Sequence, residues 1–223
     1  MNAPLVMSFD LDDTLWPVEP VMLAAEGEMQ AWIQERHPEI MQGHDRESLR
    51  RLRGVLAQRF PQLAHDMTFL RHRMLTELFT AAGKDDAHAD EAFEVFYAAR
   101  NRVTLYAEVE AALKRLSARY RLFALSNGNA DLRRCGISQW FNGHVTAISA
   151  GAPKPDIRIF SRLIDEAGVK PHQILHIGDD PQLDVVGAMQ AGLQAAWLNR
   201  NSKPWPANLP QPPRIISSLT EID

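Results

Sequence analysis

The chain lacks the residues that would mark a disulfide-stabilised or membrane-inserted protein. It has 223 residues and one cysteine, Cys135, so it can form neither an internal disulfide nor a cysteine-rich metal site. No stretch approaches the roughly 20 apolar residues of a membrane span, and no basic segment precedes the short apolar run near the N-terminus. We therefore expect a soluble, cytoplasmic protein with no membrane partner.

An excess of positive charge is also missing. The formal net charge is −4, which gives no general case for binding nucleic acid. Hydrophobic residues make up 45% of the chain, enough to bury a full core. We expect small solutes rather than nucleic acid as partners, and the sequence leaves open both a monomer and a homodimer.

Two carboxylates stand at the end of a short apolar run. The run Val6–Phe9 leads directly into Asp10, Leu11 and Asp12, and Thr14 follows. Side chains alternate along an extended chain, so we expect Asp10 and Asp12 on one side and Leu11 on the other. One carboxylate could then attack a substrate while the other transfers protons.

The same aspartates also have ordinary interpretations. Aspartates often cap a helix or turn after a strand, which would explain Asp10 or Asp179 taken singly. A calcium loop starting at Asp10 would place Leu15 where glycine is required and Val21 where a bidentate glutamate belongs. The calcium interpretation therefore fails, whereas the capping interpretation stays open for either aspartate alone.

Four segments, in the right order, resemble the four motifs of the haloacid dehalogenase superfamily, whose commonest members are magnesium-dependent phosphatases. The first has the form Asp-x-Asp-x-Thr, the second is an apolar strand ending in a hydroxyl residue, the third carries a lysine, and the fourth has the form Gly-Asp-x-x-x-x-Asp. They are Asp10–Thr14, Leu122–Asn127, Gly151–Asp156 and Ile174–Asp184. The resemblance extends over roughly Leu5 to Leu198.

Alternating strand and helix patterns predict an α/β fold with a Rossmann-like parallel sheet. In such a sheet the reactive loops gather beyond the carboxyl ends of the strands, where Asp10, Ser126 and Asp179 fall. Helical patterns between the strands are Val109–Arg119, Ile157–Ala167 and Asp184–Ala191. Strand-length apolar runs are Leu5–Phe9, Leu122–Leu125, Val145–Ser149, Ile174–Ile177, Ala195–Leu198 and Arg214–Ser217.

The segment from about Pro17 to Arg100 interrupts this alternation, because it has helical patterns and no clear strand. An insertion between the first two motifs resembles the C1 cap of the family, which opens for substrate and closes to exclude water. We therefore predict a Rossmann-like catalytic core of residues 1–16 and 101–223 and an all-helical cap of residues 17–100. The predicted cap helices are Val21–Glu35, Glu47–Arg59, Met67–Ala81 and Ala89–Asn101.

The resemblance implies a catalytic role for four residues. Asp10 is the expected nucleophile, which forms an aspartyl-phosphate, and Asp12 is the expected general acid and base. Lys154 would neutralise the phosphoryl oxygens, and Ser126 would hydrogen-bond the transferring group. The predicted substrate-binding residues are Thr14, Ser126, Asn127 and Lys154, and the expected substrate is a small phosphorylated metabolite.

The resemblance also implies a bound Mg²⁺, since carboxylates beside a phosphate dianion would otherwise repel it. The predicted side-chain ligands are Asp10 and Asp179. Asp12 would add its backbone carbonyl. Either Asp184 or Asp180 would support the metal from outside.

Two branches of the superfamily fit the sequence less well than the phosphatases. Dehalogenases lack a carboxylate at the position of Asp12, and phosphonatases need a cap lysine, for which Lys84 is the only candidate between Pro17 and Arg100. A phosphomutase and a non-catalytic member that binds a phosphorylated ligand or a protein partner stay open. The first two motifs and the cap length are similar to bacterial phosphatases that act on flavin mononucleotide or on a phosphorylated riboflavin precursor.

Three further features carry weaker hypotheses. Trp16 could stack on a planar substrate or pack in the core. His176, inside an apolar strand, is interpreted as a core histidine. The predicted cap contains a group of arginines that could attract an anionic substrate or simply lie on a solvated helix face. They are Arg46, Arg50, Arg51, Arg53, Arg59, Arg71 and Arg73.

Overall fold

The computed structural model describes residues 3–222, and a six-stranded parallel β-sheet lies in one of its two compact units. The strand order is β3-β2-β1-β4-β5-β6, so that β1 lies near the centre with β2 and β4 on either side. The predicted Rossmann-like α/β fold is confirmed. The strands are β1 Val6–Phe9, β2 Arg121–Ser126, β3 Gly143–Thr146, β4 Ile174–Gly178, β5 Gln194–Leu198 and β6 Ile215–Ile216.

The helices of the described residues divide between two compact units. Five belong to a helical unit made of Val18–Val103 and Asn129–Arg134, and four belong to the unit that contains the sheet. The helices are α1 Val18–Arg36, α2 Pro38–Met41, α3 Arg46–Arg59, α4 Met67–Ala81, α5 Asp86–Arg100, α6 Val109–Ser117, α7 Ala147–Ala150, α8 Ile157–Ala167 and α9 Gly187–Gln190.

Each unit has its own hydrophobic core. In the sheet unit, every residue of β1 and β4 is buried, as expected of parallel strands with both faces covered. Phe160 and Leu163 of α8 pack in this core with Val145 of β3. In the helical unit, Met29 of α1 and Phe96 of α5 belong to a separate apolar cluster.

The helical unit also takes in Asn129–Arg134, which the sequence-based division places in the core. This segment begins two residues after the end of the second motif. The interpretation of the helical unit as a cap stays a prediction. Among the described residues, no helix is both long and apolar enough to cross a membrane.

The predicted strand Val145–Ser149 is wrong in its second half. The strand β3 ends at Thr146, and α7 follows at once. Thr146 Oγ1 accepts a hydrogen bond from Ser149 N–H over 3.1 Å, and Ser149 Oγ accepts one from Thr146 N–H over 3.0 Å. This reciprocal cap starts a helix where apolar content alone predicts a strand.

The predicted helix Asp184–Ala191 is present in a modified form. A π-helical turn, Pro181–Val186, runs directly into α9. Asp180 caps the turn, since its Oδ1 accepts hydrogen bonds from Gln182 N–H over 2.8 Å and Leu183 N–H over 2.7 Å. Asp184 therefore lies within the turn that follows β4.

Candidate active site

The first motif forms a tight turn at the end of β1. Asp10 N–H donates to the Ile177 carbonyl of β4 over 2.9 Å, and Leu15 N–H donates to the Leu11 carbonyl over 2.8 Å. Asp13 adopts a left-handed backbone conformation with φ of 59°, which aspartate tolerates better than most residues. The turn brings Thr14, at the end of the motif, back to Asp10.

Thr14 links two of the predicted site carboxylates. Its buried hydroxyl lies 3.2 Å from Asp10 Oδ2 and 3.3 Å from Asp179 Oδ1. A hydroxyl carries one hydrogen, so Thr14 can donate to one of these carboxylates at a time. Arg200 Nη2 donates to the Thr14 carbonyl over 2.9 Å. Thr14 thus orders the carboxylates, and its predicted contact with substrate stays a prediction.

Lys154 lies at the centre of the site. Its Nζ donates to Asp10 Oδ1 over 2.5 Å, to Asp184 Oδ1 over 2.6 Å and to the Leu125 carbonyl over 3.1 Å. An ammonium has three hydrogens, so these acceptors use all of them. The lysine of the third motif is therefore fixed against the aspartate of the first.

Burial and charge act in opposite directions on these groups. Burial raises the pKa of Asp10 well above its ordinary value, although Lys154 opposes the rise. Burial alone would lower the pKa of Lys154, but the Asp10 and Asp184 carboxylates outweigh it and raise that pKa. Burial alone would also raise the pKa of Asp184, but Lys154 and His176 lower it below its ordinary value. One buried cation thus faces two buried carboxylates.

The second motif holds the backbone of Lys154. Asn127 Oδ1 accepts from Lys154 N–H over 2.6 Å, and Asn127 Nδ2 donates to the Lys154 carbonyl over 3.1 Å. Ser126, buried at the end of β2, accepts a hydrogen bond from Gly128 N–H over 2.9 Å. The Asn127 amide is therefore engaged with the third motif, which better supports positioning of Lys154 than a contact with substrate.

Three carboxylates are close enough to share a metal ion. Oxygen atoms of Asp10, Asp179 and Asp184 all lie within 4.8 Å of one another. Burial, together with Asp184 and Asp13, raises the pKa of Asp179 to about 7. Hard oxygen donors around excess negative charge suit Mg²⁺, so the residues present fit the ion that the sequence predicts.

Asp184 and Asp180 have different positions. Asp184 belongs to the carboxylate cluster and accepts a hydrogen bond from Asp180 N–H over 3.0 Å. The Asp180 carboxylate caps the π-helical turn. A Cβ atom added at Gly178, at the end of β4, would lie 2.2 Å from Asp184 Cγ. Glycine at this position therefore leaves the space that Asp184 occupies.

Trp16 is fully buried and donates its Nε1 hydrogen to Asp12 Oδ1 over 2.9 Å. The hypothesis that Trp16 stacks on substrate is wrong for this structure, because the indole has no exposed face. Core packing, the other interpretation, is correct. The hydrogen bond to Asp12 is a relationship that the sequence analysis missed, although a spacing of four residues across a turn could have suggested it.

Two residues at the carboxyl end of β5 also hold the site. Trp197, within β5, donates from Nε1 to the Asp179 carbonyl over 2.8 Å. Arg200 reaches the Thr14 carbonyl, and its Nη1 donates to Glu108 Oε1 over 2.6 Å. Neither residue stands in one of the four motifs. Their position at the carboxyl end of a parallel strand was the available signal.

Most arginines of the predicted cap form ion pairs inside the helical unit. Arg46, Arg53 and Arg71 converge on the buried carboxylate of Glu26 in α1. The other pairs are Arg51 with Glu47, and both Arg59 and Arg73 with Glu77. That these arginines attract an anionic substrate stays a prediction. Their ion pairs leave less uncompensated positive charge than the sequence suggests.

Comparison with protein families gives one match over most of the chain. The model of the haloacid dehalogenase-like hydrolases matches residues 6–192. The chain is also 33% identical over 196 residues to the 5-amino-6-(5-phospho-D-ribitylamino)uracil phosphatase YigB of Escherichia coli, covering 86% of this chain and 82% of that protein.

Two solved structures are similar over almost the whole chain. A crystal structure named as a 2-haloacid dehalogenase from Pseudomonas syringae has a TM-score of 0.91 and 35% identity, covering 97% of this chain and 95% of the other. A phosphatase of the same superfamily from Thermococcus onnurineus has a TM-score of 0.67 and 25% identity, covering 99% and 95%.

Proposed function

Because this chain belongs to the haloacid dehalogenase-like hydrolases, we propose that it hydrolyses phosphate monoesters of small metabolites through an aspartyl-phosphate on Asp10. The observation that carries the proposal is the 2.5 Å contact between Lys154 Nζ and Asp10 Oδ1 beside two further carboxylates. A fixed cation next to a buried carboxylate is suited to hold that carboxylate and a phosphoryl group together.

In the first step, an oxygen of Asp10 forms a bond to phosphorus while the bond from phosphorus to the ester oxygen breaks. Asp12 gives its proton to the departing ester oxygen, which leaves as an alcohol. The Trp16 hydrogen bond on Asp12 Oδ1 restricts the orientation of this acid. Lys154 and Ser126 would stabilise the charge on the phosphoryl oxygens.

In the second step, Asp12, now a carboxylate, takes a proton from water as the water oxygen attacks phosphorus. The bond between phosphorus and Asp10 breaks, which releases inorganic phosphate and restores both aspartates. Asp12 thus acts as acid and then as base. Such a role contributes typically about 10²- to 10⁴-fold to the rate.

We propose that Asp10, Asp179 and the backbone carbonyl of Asp12 hold Mg²⁺, with Asp184 as the outer support. A bound Mg²⁺ supplies positive charge that offsets repulsion between these carboxylates and the phosphate dianion. Asp184 is favoured over Asp180 because its oxygen lies in the cluster, whereas Asp180 caps a turn.

The proposed substrate class includes flavin mononucleotide and phosphorylated precursors of riboflavin. Support comes from the relative named for 5-amino-6-(5-phospho-D-ribitylamino)uracil, which matches 86% of this chain. Selectivity in a shared fold depends on few contacts, so related metabolites belong in the same panel. Residence in the cytoplasm and a homodimeric state stay predictions.

Dehalogenation is a second candidate, because the structure with a TM-score of 0.91 carries that name. A halide leaves without needing a proton, so the reaction gives no task to the acid Asp12. The hydrogen bond that orients Asp12 therefore favours phosphate ester hydrolysis. A phosphomutase or a non-catalytic binding protein would retain the same core residues.

The test is release of phosphate from a panel of sugar phosphates, nucleotides, flavin mononucleotide and the ribitylaminouracil phosphate, with Mg²⁺ or with EDTA. Halide release from 2-chloropropionate is measured in parallel. We expect magnesium-dependent phosphate release that Asp10→Asn abolishes. Halide release without phosphate release would replace the proposal with dehalogenation. Turnover that survives in Asp10→Asn would refute the assigned nucleophile.

A further inference from the structure

Ser8 and His176 form a polar pair inside the parallel sheet. They are directly paired across β1 and β4, and both are fully or almost fully buried. Ser8 Oγ lies 2.5 Å from His176 Nδ1. On its other side, His176 Nε2 lies 3.2 Å from Asp184 Oδ1. The pair thus connects the interior of the sheet to the carboxylate cluster.

The chemistry of the acceptor determines which ring nitrogen carries hydrogen. An ionised Asp184 can only accept, so His176 Nε2 must be a donor. In the neutral imidazole, Nδ1 then accepts the Ser8 hydroxyl hydrogen. Ser8 therefore favours the one neutral tautomer that can donate to Asp184, which is how an outer hydrogen bond commonly orients a histidine.

The donors to Asp184 converge from three directions. They are Lys154 Nζ and His176 Nε2 on Oδ1 and the Asp180 N–H on Oδ2. Removing one of them frees the carboxylate to rotate. Because the same Lys154 Nζ also donates to Asp10 Oδ1, a rotation of Asp184 would move the cation that holds Asp10.

We propose that Ser8 and His176 are positioning residues for the reaction on Asp10, acting through Asp184 and Lys154. This inference rests on the proposed function, because the expected changes in kcat are changes in phosphate ester hydrolysis. The order of contacts is Ser8 to His176, His176 to Asp184, Asp184 to Lys154 and Lys154 to Asp10.

The surroundings of His176 determine what its replacement by leucine does to stability. The ring packs edge-on to Phe160, with ring centroids 5.8 Å apart, and the rest of β4 is apolar and buried. A leucine would fill this space but would leave the buried Ser8 hydroxyl without its partner and Asp184 with one donor fewer. We therefore expect His176→Leu to remain folded with a lower melting temperature than the parent chain, and His176→Gln to separate that loss from an effect on kcat.

The experiment compares His176→Gln with His176→Leu. Glutamine Nε2 is as many bonds from the backbone as histidine Nε2 and can donate to Asp184, whereas leucine cannot. Outer hydrogen-bond partners typically contribute about 10- to 100-fold to activity or metal affinity. We expect His176→Leu to lower kcat by about this factor with little change in KM, and His176→Gln to stay within about fivefold of the parent chain.

Two further variants separate positioning from packing. His176→Asn carries its amide nearer the backbone, towards Ser8, and should lose activity as His176→Leu does. Ser8→Ala should lower kcat less, by several-fold, because Asp184 keeps its donor. Melting temperatures are measured for all variants, and kcat is compared well below them. Equal kcat losses in the glutamine and leucine variants, or a leucine variant within twofold of the parent, would overturn the proposal.

A second readout keeps this inference distinct from the proposed function. Nitrogen-15 NMR of labelled histidine should find His176 protonated at Nε2 and not at Nδ1, and the opposite tautomer would refute the inference. Mg²⁺ binding, followed by thermal shift of the intact chain, should weaken about 10-fold in His176→Leu and little in His176→Gln. Absence of turnover in the parent chain would reject the phosphatase proposal, while these two measurements would still decide the role of His176.

Discussion

The Trp16 indole and the Asp12 carboxylate are joined by a hydrogen bond of 2.9 Å across the turn of the first motif. Trp16 is fully buried, whereas Asp12 is partly exposed. The buried indole of Trp16 thus restricts the orientation of the more exposed Asp12 carboxylate. For a residue proposed to give and take a proton, a fixed orientation reduces the reorganisation needed in each step.

Replacing Trp16 by phenylalanine should remove this donor while keeping an aromatic ring in the core. We expect kcat for a phosphate ester to fall about 10-fold, with a smaller change in KM, since the hydrogen bond orients the acid rather than binding substrate. Steady-state kinetics measure both constants.

The matched control is Trp205→Phe, because the buried Nε1 of Trp205 has no hydrogen-bond partner among residues 3–222. This variant removes an indole N–H without removing a hydrogen bond and should leave kcat within about twofold. Equal losses in the two variants would assign the effect to packing instead of to Asp12.

Replacing Lys154 by methionine should abolish activity and destabilise the chain. The Asp10 and Asp184 carboxylates would stay buried without the ammonium between them. Removing one partner of a buried ion pair costs about 3–5 kcal/mol in the free energy of unfolding. Urea denaturation of the metal-free protein measures this loss.

The Lys154→Met effect should be partly reversed by adding Asp10→Asn, which removes one of the two facing charges. The exposed Lys114 of α6 provides the control, and Lys114→Met should cause no measurable change. If the double variant is as unstable as the single one, the charge explanation is wrong.

Replacing Gly178 by alanine should displace Asp184, because the new Cβ would fall 2.2 Å from Asp184 Cγ. We expect a loss of at least about 10-fold in kcat together with weaker Mg²⁺ binding. The control is Gly54→Ala in α3, where no atom of residues 3–222 outside the adjoining backbone of the helix lies within 4 Å of the added Cβ. That variant should retain activity and gain up to about 1 kcal/mol in stability. A fully active Gly178→Ala would contradict the proposed importance of Asp184.

Glu26 should be a major stabilising residue of the helical unit. Its buried carboxylate accepts hydrogen bonds from Arg46, Arg53 and Arg71, and the Arg71 guanidinium is itself buried over the Phe96 ring. Glu26→Gln leaves these cations without a counter-charge and should lower the free energy of unfolding by about 3 kcal/mol. Glu47→Gln, which breaks the exposed pair with Arg51, should have no measurable effect.

The same cluster predicts a pH dependence of stability. Burial alone would raise the pKa of Glu26, but the hydrogen bond from Arg46 and the charges of Arg53 and Arg71 lower it below its ordinary value of 4.5. Stability from Glu26 is therefore present above pH 4.5 and is lost as the pH falls through the lower folded pKa. Denaturation series between pH 7 and pH 3 should show the parent chain and Glu26→Gln converging at low pH, and a constant difference would contradict this assignment.

The sequence predicts most of the fold because periodicity is a local property. The predicted helices Ile157–Ala167 and Met67–Ala81 match α8 and α4 in the structure. The error at Val145–Ser149 arose where a reciprocal cap between Thr146 and Ser149 starts a helix within an apolar run. Local hydrogen bonding there outweighs the preference of apolar residues for a strand.

By itself, the sequence determined the motifs, their order and the side of a parallel sheet on which Asp10, Ser126 and Asp179 had to fall. These follow from residue identity and from strand direction. Only the tertiary structure decided which groups contact Asp12 and Asp184. It also decided that three of the arginines form ion pairs with Glu26. Such contacts depend on register, on side-chain rotamers and on space such as that beside Gly178, and these are properties of the packed chain that residue spacing does not encode.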